Sequence, residues 1–464
     1  MFTQKKQVNF LIISIFIFLS IFFLNLNNYI GNKFLYFIFQ FTSFVFFLFA
    51  IKKNNSAFEF FTYFFFLLSF WFKFNCILYF DYINVTEGDF DLRISNYDNA
   101  TFIIIIVFIA CICASLLTNI IVNNLIKKNK FEIKSSFIIF YKHYRFFIFF
   151  LFSAFLIFVW GTNYYFQIYS KGLVNSDILP VVKYFYAWVL TYGLAVFTSI
   201  LIYIDFLIFK NNKIFILGII EPFFTQINIL SRSFLIFFAA YLRGFLLFID
   251  KQKILFSKIF VIKLILIILV FTFLSFYSVS KIRSFKFDKI HNNAVPITIA
   301  STFSNFFSLS FNRWVGIDAL LAVSQNNKLS YEFFFSAWKE KKNIQKKSFY
   351  IDNFFGRFKY SGLENTNLNT VITPGIVAFL YYSGSAIFVF FTIAILIIIF
   401  SLIEKLFYII SLRNIILANI IGFTLAVRFI HFGYVPANTL NFFLSFGFTF
   451  FIIFVLINFI KKSR

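Results

Sequence analysis

Residues 101–125 read TFIIIIVFIACICASLLTNIIVNNL, and this stretch decides the fold class of the protein. It contains no Asp, Glu, Lys or Arg. About 20 mostly apolar residues in a helix cross the hydrocarbon core of a bilayer. In the whole chain of 464 residues, 61% are hydrophobic and only 13% are charged. A soluble protein of this composition could not cover its surface with polar groups, so the sequence indicates an integral membrane protein.

Other apolar runs of similar character lie on both sides of this stretch. They are 9–25, 33–51, 57–80, 146–162, 184–209, 214–230, 233–249, 259–280, 374–403, 414–430 and 438–460. Only Ser231 and Arg232 separate the sixth of these runs from the seventh. The sequence therefore predicts an all-α polytopic membrane protein with about 12 transmembrane helices, in a single membrane domain that spans 1–464.

The distribution of Lys and Arg predicts the orientation, because basic residues concentrate in short cytoplasmic loops. With a cytoplasmic N-terminus, every predicted inner segment is basic, whereas the outer segment 81–99 is acidic. Both termini are then cytoplasmic. The span 281–372 becomes one large extracytoplasmic loop between the ninth and tenth helices, too long for the charge rule to apply. Within it, 311–324 and 331–341 are predicted to form amphipathic helices at the membrane surface.

Composition also excludes several classes of function. The net charge of +24 is explained by the basic inner loops, so no nucleic-acid partner is expected. The three cysteines all lie in apolar runs and indicate neither disulfides nor a metal site. Asp89-Phe90-Asp91 has the letters of a metal motif, but a solvated acidic turn explains it equally simply. No metal is predicted.

Glu221, Arg243 and Lys73 are ionisable residues inside predicted membrane helices, where charge is costly and often functional. Glu221 and Arg243 lie ten residues before and eleven after the turn at 231–232, so both are about 15 Å from it. The matching depth predicts a buried Glu221–Arg243 ion pair, which serves either function or only the hairpin's stability. Lys73 lies about two turns from the outer end of the third run. It either extends outward to the interface or faces a cavity.

Further cations lie at the predicted outer surface, in four separate segments. They are Lys171, Arg232, Arg313 and Arg428. The planar guanidinium of arginine binds phosphate oxygens in a bidentate manner. Interfacial anchoring would account for any one of them, but together they favour binding of a lipid diphosphate.

Several short stretches carry a resemblance to a known family. Ser231-Arg232-Ser233 stands directly before an apolar helix, and Thr373-Pro374-Gly375 stands before Tyr381-Tyr382-Ser383-Gly384. Phe70 to Asp91, with Lys73 and Glu87-Gly88, has the pattern of an outer loop. Together with the topology, these stretches resemble bacterial O-antigen polymerases of the Wzy type and related oligosaccharide repeat-unit polymerases.

The resemblance implies a glycosyltransferase at the outer face of the bacterial inner membrane. It implies an undecaprenyl-diphosphate-linked oligosaccharide as substrate, membrane lipid as surroundings, a chain-length regulator as partner and no cofactor. Arg232, Arg313, Arg428, Lys171 and Lys73 would bind the diphosphate or the substrate, since developing charge on the leaving group needs cations. Catalysis also needs a base for the acceptor hydroxyl. The candidate bases are, in order, Asp318, His431 and His291.

Three other classes remain open from the sequence alone, one of which, a non-enzymatic membrane scaffold, leaves Glu221, Arg243 and Lys73 without a clear purpose. A lipid-linked oligosaccharide flippase also has about twelve helices, but usually has short loops and two similar halves. An O-antigen ligase shares the substrate and the outer location, and differs in its acceptor.

Overall fold

The computed structural model describes residues 4–51, 56–80, 97–125, 133–170, 178–252, 258–291, 314–340, 348–354, 373–433 and 436–461. Within these ranges the chain is helical, and its extended pairing is limited to an isolated bridge between Ile133 and Lys461. The predicted all-α class is therefore confirmed.

The helices are numbered here in chain order. They are α1 (Gln4–Asn25), α2 (Lys33–Ala50), α3 (Ala57–Tyr79), α4 (Tyr97–Leu125), α5 (Ser135–Phe166), α6 (Pro180–Phe209), α7 (Leu217–Asn228), α8 (Phe234–Lys251), α9 (Lys258–His291), α10 (Ile317–Ser324), α11 (Tyr331–Trp338), α12 (Phe349–Phe354), α13 (Gly375–Tyr381), α14 (Ala386–Ile410), α15 (Ile415–Ile430) and α16 (Pro436–Ile460). Two of them contain a π-helical segment, Leu67–Phe72 in α3 and Val189–Gly193 in α6.

Eight helices of the described part are long and apolar enough to cross a bilayer. The segments are Lys33–Ala50, Ala57–Tyr79, Tyr97–Val122, Ser135–Phe166, Pro180–Phe209, Ile265–Phe285, Ala386–Ile410 and Phe442–Ile460. Asn9–Asn25 and Ile415–Ile430 are apolar but shorter, and the pair α7 and α8 is not among the eight. These helices indicate a multi-pass membrane protein. Twelve crossings, the single membrane domain and the outer location of 281–372 stay predictions.

The predicted helix 374–403 is wrong in one respect, because it is two helices. The break follows Tyr381: Gly384 has φ +68° and donates its N–H to the Tyr381 carbonyl at 2.9 Å. Ser385 then begins α14 by accepting a bond from the backbone N–H of Phe388 at 3.2 Å. Glycine with positive φ ends helices, and serine caps their N-termini. The short α13 is thereby separated from the long α14.

The predicted loop helices form, but one of them is not a surface helix. All residues from Ile317 to Val323 in α10 are buried, and α10 packs against α4 and α13. Its sequence IDALLAVS is apolar on nearly every side, which favours burial over an interfacial position. The predicted amphipathic character holds for α11, where Phe334 and Ala337 are buried while Tyr331 is half exposed.

The chain divides into two compact units. The first unit comprises Met1–Ile126, Leu309–Leu402 and Leu425–Phe442, and the second comprises Lys127–Ser308, Ile403–Thr424 and Phe443–Arg464. Aromatic rings fill the first, for example where Phe58 and Phe400 both contact Phe429. The second has an apolar cluster around Ile202, Phe206, Tyr241, Phe248 and Ile416.

In the first unit, a carboxylate holds the turn between α1 and α2. Both oxygens of Asp98 accept bonds from the backbone N–H of Asn32, at 2.9 and 3.1 Å. The Tyr29 hydroxyl donates to the same carboxylate at 2.7 Å. The side chain of Asn32 in turn caps α2, accepting from the N–H of Phe34 at 2.9 Å. Asp98 therefore ties the first helical hairpin to α4.

We expect Asp98→Ala to lower the free energy of unfolding by about 1–3 kcal/mol, because hydrogen bonds to a charged group are lost and Tyr29 loses one of its two partners, keeping Thr101. The measurement is thermal unfolding of purified protein in detergent micelles. Asp352→Ala, at an exposed carboxylate in α12, is the matched control and should change stability by less than about 0.5 kcal/mol. Equal effects of the two substitutions would contradict the role of Asp98 in holding the first helical hairpin to α4.

Candidate functional site

Lys73 is buried in the first unit, with 1% of its surface exposed. The π segment Leu67–Phe72 ends directly before it, and the N–H of Lys73 donates to the Leu68 carbonyl five residues earlier. Such single-turn π segments often occur at functional sites, because the extra residue per turn redirects the following side chains. The widened turn determines the direction in which Lys73 leaves α3. The ammonium group is directed into the protein and does not extend outward.

The partner of Lys73 is Asp318, in the first turn of α10. The ammonium Nζ lies 2.5 Å from Oδ2 of Asp318 and donates to the Trp314 carbonyl at 3.1 Å. The two residues are 245 positions apart in sequence, yet both belong to the first unit. The ion pair therefore attaches the start of α10, which belongs to the predicted outer loop, to a predicted membrane helix.

The carboxylate of Asp318 is 1% exposed and has one unused oxygen. Oδ1 has no hydrogen-bond partner among the described residues. Burial raises the pKa of Asp318 above its usual value, while the ammonium of Lys73 opposes that rise. A carboxylate with a raised pKa and a free acceptor atom is suited to taking a proton from a hydroxyl group.

Glycine residues allow the backbone around Asp318 to pack closely. Gly316 has φ +154°, and a Cβ atom there would come 3.0 Å from the Phe70 ring and from Ser69 Oγ. Gly375 has φ +78°, and a Cβ there would lie 2.9 Å from Val315 Cγ1 and 3.2 Å from the Ile430 carbonyl. The segment 314–318 therefore lies against α3 at Gly316. At Val315 it lies close to Gly375, the first residue of α13, which also adjoins the end of α15 at Ile430.

The end of α15 carries two more predicted site residues. The guanidinium of Arg428 lies over the Phe442 ring, 4.2 Å from its centroid. His431 is exposed, and its Nδ1 is 2.8 Å from the Val427 carbonyl oxygen. Lys73, Asp318, Arg428 and His431 thus all lie in the first unit.

The remaining predicted cations and bases lie in the second unit or outside the described residues and side chains. Arg232 belongs to the second unit, with its guanidinium 5.1 Å from the centroid of the Phe276 ring. His291 is the last residue of α9, and its side chain lies outside the description. Arg313 and Lys171 lie outside the described residues.

The predicted Glu221–Arg243 ion pair is wrong. Glu221 accepts hydrogen bonds from the hydroxyls of Thr225 and Tyr241, each at 2.8 Å, and Arg243 donates to Asn419 at 2.5 Å. Matching depth along two helices does not determine the direction in which each side chain points around its helix axis. Tyr241 and Arg243 are two residues apart and so point about 200° apart on α8. Glu221 faces the side that carries Tyr241.

Sequence reasoning missed a second ion pair, in the second unit. Arg145 Nε and Nη2 donate to the two oxygens of Asp205 at 2.7 and 3.1 Å, and the Tyr141 hydroxyl donates to the same carboxylate at 3.2 Å. The guanidinium also lies 4.3 Å from the centroid of the Phe209 ring. Asp205 is fully buried. The signal was its position as the only acidic residue inside the run 184–209.

A buried polar cluster was also missed, in the first unit. The Trp71 indole N–H donates to Gln40 at 2.7 Å, and Gln40 and the Tyr36 hydroxyl both donate to Asn75 Oδ1 at 2.7 Å. Trp71 and Asn75 flank Lys73 on α3. This cluster satisfies the polar groups on the opposite face of the helix and so fixes the orientation of α3.

In the described ranges, no group of three His, Cys, Asp or Glu side chains is arranged to hold a metal ion. The chain matches no protein-family model, no curated protein and no solved structure. Any assignment of function therefore rests on the residues themselves.

We expect strong coupling between Lys73 and Asp318 in a double-mutant cycle. Lys73→Met or Asp318→Asn alone should each cost about 3–5 kcal/mol of stability, because each leaves a buried charge or carboxylate unpaired. The double variant should lose clearly less than the sum, since it leaves neither. Unfolding in mixed micelles measures all four proteins. Additivity within about 0.5 kcal/mol would contradict a direct buried pair.

Proposed function

We propose that this protein polymerises lipid-linked oligosaccharide repeat units, in the manner of the Wzy-type O-antigen polymerases that its sequence resembles. The products would be O-antigen, capsule or exopolysaccharide chains. The enzyme would be a multi-pass protein of the bacterial inner membrane with both termini in the cytoplasm and its reaction at the outer face. The observation that carries this proposal is the buried Asp318, held by Lys73 with one carboxylate oxygen unused.

The reaction is a glycosyl transfer with a lipid diphosphate as leaving group. A hydroxyl oxygen of the acceptor repeat unit forms a bond to C1 of the reducing-end sugar on the growing chain. The bond between C1 and the diphosphate oxygen breaks, and undecaprenyl diphosphate leaves with the electron pair. The proton of the acceptor hydroxyl passes to the base. The bond to the diphosphate supplies the energy, so the reaction as written needs no cofactor.

Asp318 is our candidate for that base. Its Oδ1 has no hydrogen-bond partner in the described ranges and can accept the hydroxyl proton. Lys73 and the start of α10 keep the other oxygen in place, which restricts the carboxylate to one orientation. A base held in a fixed position near the acceptor gains rate through orientation as well as proton transfer. His431 and His291 stay alternative bases.

Arg428 is our first candidate for stabilising the leaving diphosphate. It lies in the last turn of α15, two residues before Ile430, whose carbonyl oxygen adjoins Gly375. A guanidinium can bind two phosphate oxygens in parallel, which Lys cannot do with the same geometry. Arg232, Arg313 and Lys171 stay predicted diphosphate or substrate ligands, and Lys73 is placed instead as the residue that positions Asp318.

We expect deletion of the gene to shorten surface polysaccharide in the bacterium that carries it. A gel profile of lipopolysaccharide or capsule should change from a long ladder to the core with a single repeat unit, because ligation continues while polymerisation stops. Loss of every repeat with accumulation of lipid-linked units would indicate a flippase or a ligase instead. An unchanged ladder would contradict any role in this assembly.

We expect Asp318→Asn, expressed in the deletion strain, to give single repeats only, even when its expression is raised until its membrane level equals that of the wild type. The amide keeps the shape of the carboxylate but cannot accept the proton. Asp352→Asn, at an exposed position elsewhere in 281–372, should restore the full ladder. Immunoblotting of membranes accompanies each gel.

Two outcomes separate catalysis from folding in that experiment. If Asp318 acts only through structure, loss of ladder will follow loss of protein, and Asp318→Glu will restore both together. If Asp318→Asn gives a full ladder, Asp318 is not the base. A second readout is the pH dependence of polymer synthesis in membranes, which the base should control and a purely structural carboxylate should not.

A further inference from the structure

Glu221 forms a buried hydrogen-bonded cluster in the second unit that the proposed reaction does not use. The side chain is 3% exposed and lies in α7. Its Oε1 accepts from the Thr225 hydroxyl at 2.8 Å, and its Oε2 lies 2.8 Å from the Tyr241 hydroxyl. The Tyr241 hydroxyl is also 3.2 Å from the Ala195 carbonyl oxygen. The cluster therefore joins α6, α7 and α8.

No cation contacts this carboxyl group among the described residues. The charged residue nearest in sequence on the facing helix, Arg243, is directed to Asn419. In the described ranges, Tyr241 is the titratable side chain that bonds to Glu221. On α5 and α9, the side chains that contact α7 include Trp160, Asn163 and Phe271, which do not titrate. An ionised carboxylate buried without a counter-charge is costly, and such groups usually take up a proton instead.

Asp205 provides an internal comparison, because it is a second fully buried carboxylate in the same unit. Arg145 binds both of its oxygens, and Tyr141 donates a third hydrogen bond. This unit therefore surrounds one buried carboxylate with the partners that an anion needs and surrounds the other with neutral groups alone. The contrast indicates different protonation states for the two.

Counting donors shows which hydrogen bonds the hydroxyl groups around Glu221 can form. The Trp160 indole N–H donates to Thr225 Oγ at 3.1 Å. The single hydrogen of the Thr225 hydroxyl is then directed to Oε1 of Glu221, so Oε1 is an acceptor. On the other side, Tyr241 has one hydrogen but two neighbouring oxygens, Glu221 Oε2 and the Ala195 carbonyl. The Ala195 carbonyl lies inside the helix and can accept the backbone N–H of Ser199, so the Tyr241 hydrogen can be directed to either oxygen.

A proton on Oε2 is compatible with every contact of the cluster. Glu221 then donates from Oε2 to the Tyr241 oxygen, and Tyr241 donates its own hydrogen to the Ala195 carbonyl. Thr225 still donates to Oε1. Buried polar groups in proteins are almost always hydrogen-bonded, and this arrangement meets that condition without any buried charge.

The two helices that carry Glu221 and Tyr241 approach each other closely, which fixes the distance between these side chains. Gly218 lies one turn before Pro222 in α7, and a Cβ there would come 2.6 Å from the Phe245 ring and 3.1 Å from Tyr241 Cδ1. Pro222 has no N–H and cannot donate to the Gly218 carbonyl. The close approach of α7 and α8 leaves no room for a longer side chain at residue 218 and keeps Tyr241 against Glu221.

We propose that Glu221 is a proton-binding site within the second unit, with the proton on Oε2 as a bridge from α7 through Tyr241 to the Ala195 carbonyl of α6. Binding of the proton holds the α7–α8 hairpin to α6. Loss of the proton at high pH places an unpaired charge in an apolar cluster and weakens this attachment. The stabilisation is present while the site is protonated and disappears as pH rises.

Two substitutions that remove a buried carboxylate test this site against a matched control. Glu221→Gln supplies an amide with the hydrogens and acceptors of the protonated acid, so it should melt within about 1 °C of the wild type near neutral pH. Asp205→Asn removes the anion that Arg145 needs and should melt several degrees lower. Thermal unfolding of the purified full-length protein in detergent measures both.

The pH dependence and an infrared measurement complete the test. Between about pH 7 and pH 10, the wild type should lose more thermal stability than Glu221→Gln. A protonated-carboxyl C=O band should be present near neutral pH and absent from Glu221→Gln. If Glu221→Gln is as damaging as Asp205→Asn, or the band is missing, Glu221 is ionised and the proposal is overturned. Stabilisation by sodium that only the wild type shows would also overturn it, in favour of a bound metal cation.

Discussion

Buried polar groups in this protein depend on partners within the chain, because lipid offers none. This constraint makes the described chain helical, since a helix satisfies its own backbone N–H and C=O groups. It also governs the ionisable side chains. Glu59 is buried at the start of α3, where it forms a capping box with Ser56 and accepts a bond from Ser401. Asp205 has Arg145, Asp318 has Lys73, and Glu221 is surrounded by hydroxyl groups.

The Lys73–Asp318 pair gives the start of α10 a firm place in the first unit. A loop attached only by its ends could not hold a catalytic group in one orientation. Here the ion pair, the Trp314 carbonyl bond and the close backbone contact at Gly316 hold the start of α10 against α3. The proposed base would then act from a rigid element. That rigidity is what a positioned proton acceptor requires.

Hydropathy predicted where the helices lie, because each apolar run contains helix. It failed to predict the break within 374–403, where helix-ending and helix-starting residues interrupt an apolar run. Gly384 and Ser385 are ordinary helix-ending and helix-starting residues, but the apolar residues around them concealed the break. Lys73 was a candidate because it lies in an apolar run, and Asp318 was a candidate base in the predicted outer loop. Their pairing could not be predicted, because nothing in one sequence connects positions 245 residues apart.

The error at Glu221 and Arg243 has a different cause. Counting residues from a turn gives depth along a helix but not direction around it, and a difference of two residues reverses the face. Asp205 was not among the predicted site residues, although it is the only acidic residue of the run 184–209. Its pairing with Arg145 follows from the same rule that singled out Glu221, namely that an acidic residue in an apolar run needs a partner. The sequence therefore predicts which individual residues belong to the site but not which of them pair with each other.

The most direct test of the account is a reconstituted reaction. Purified protein in liposomes would receive a defined undecaprenyl-diphosphate-linked repeat unit, and mass spectrometry would follow both products. The account predicts chains of increasing length with one undecaprenyl diphosphate released for each new glycosidic bond, and neither product from folded Asp318→Asn protein. Folded wild-type protein that binds the substrate but releases no lipid diphosphate, or Asp318→Asn protein that elongates at the wild-type rate, would contradict it.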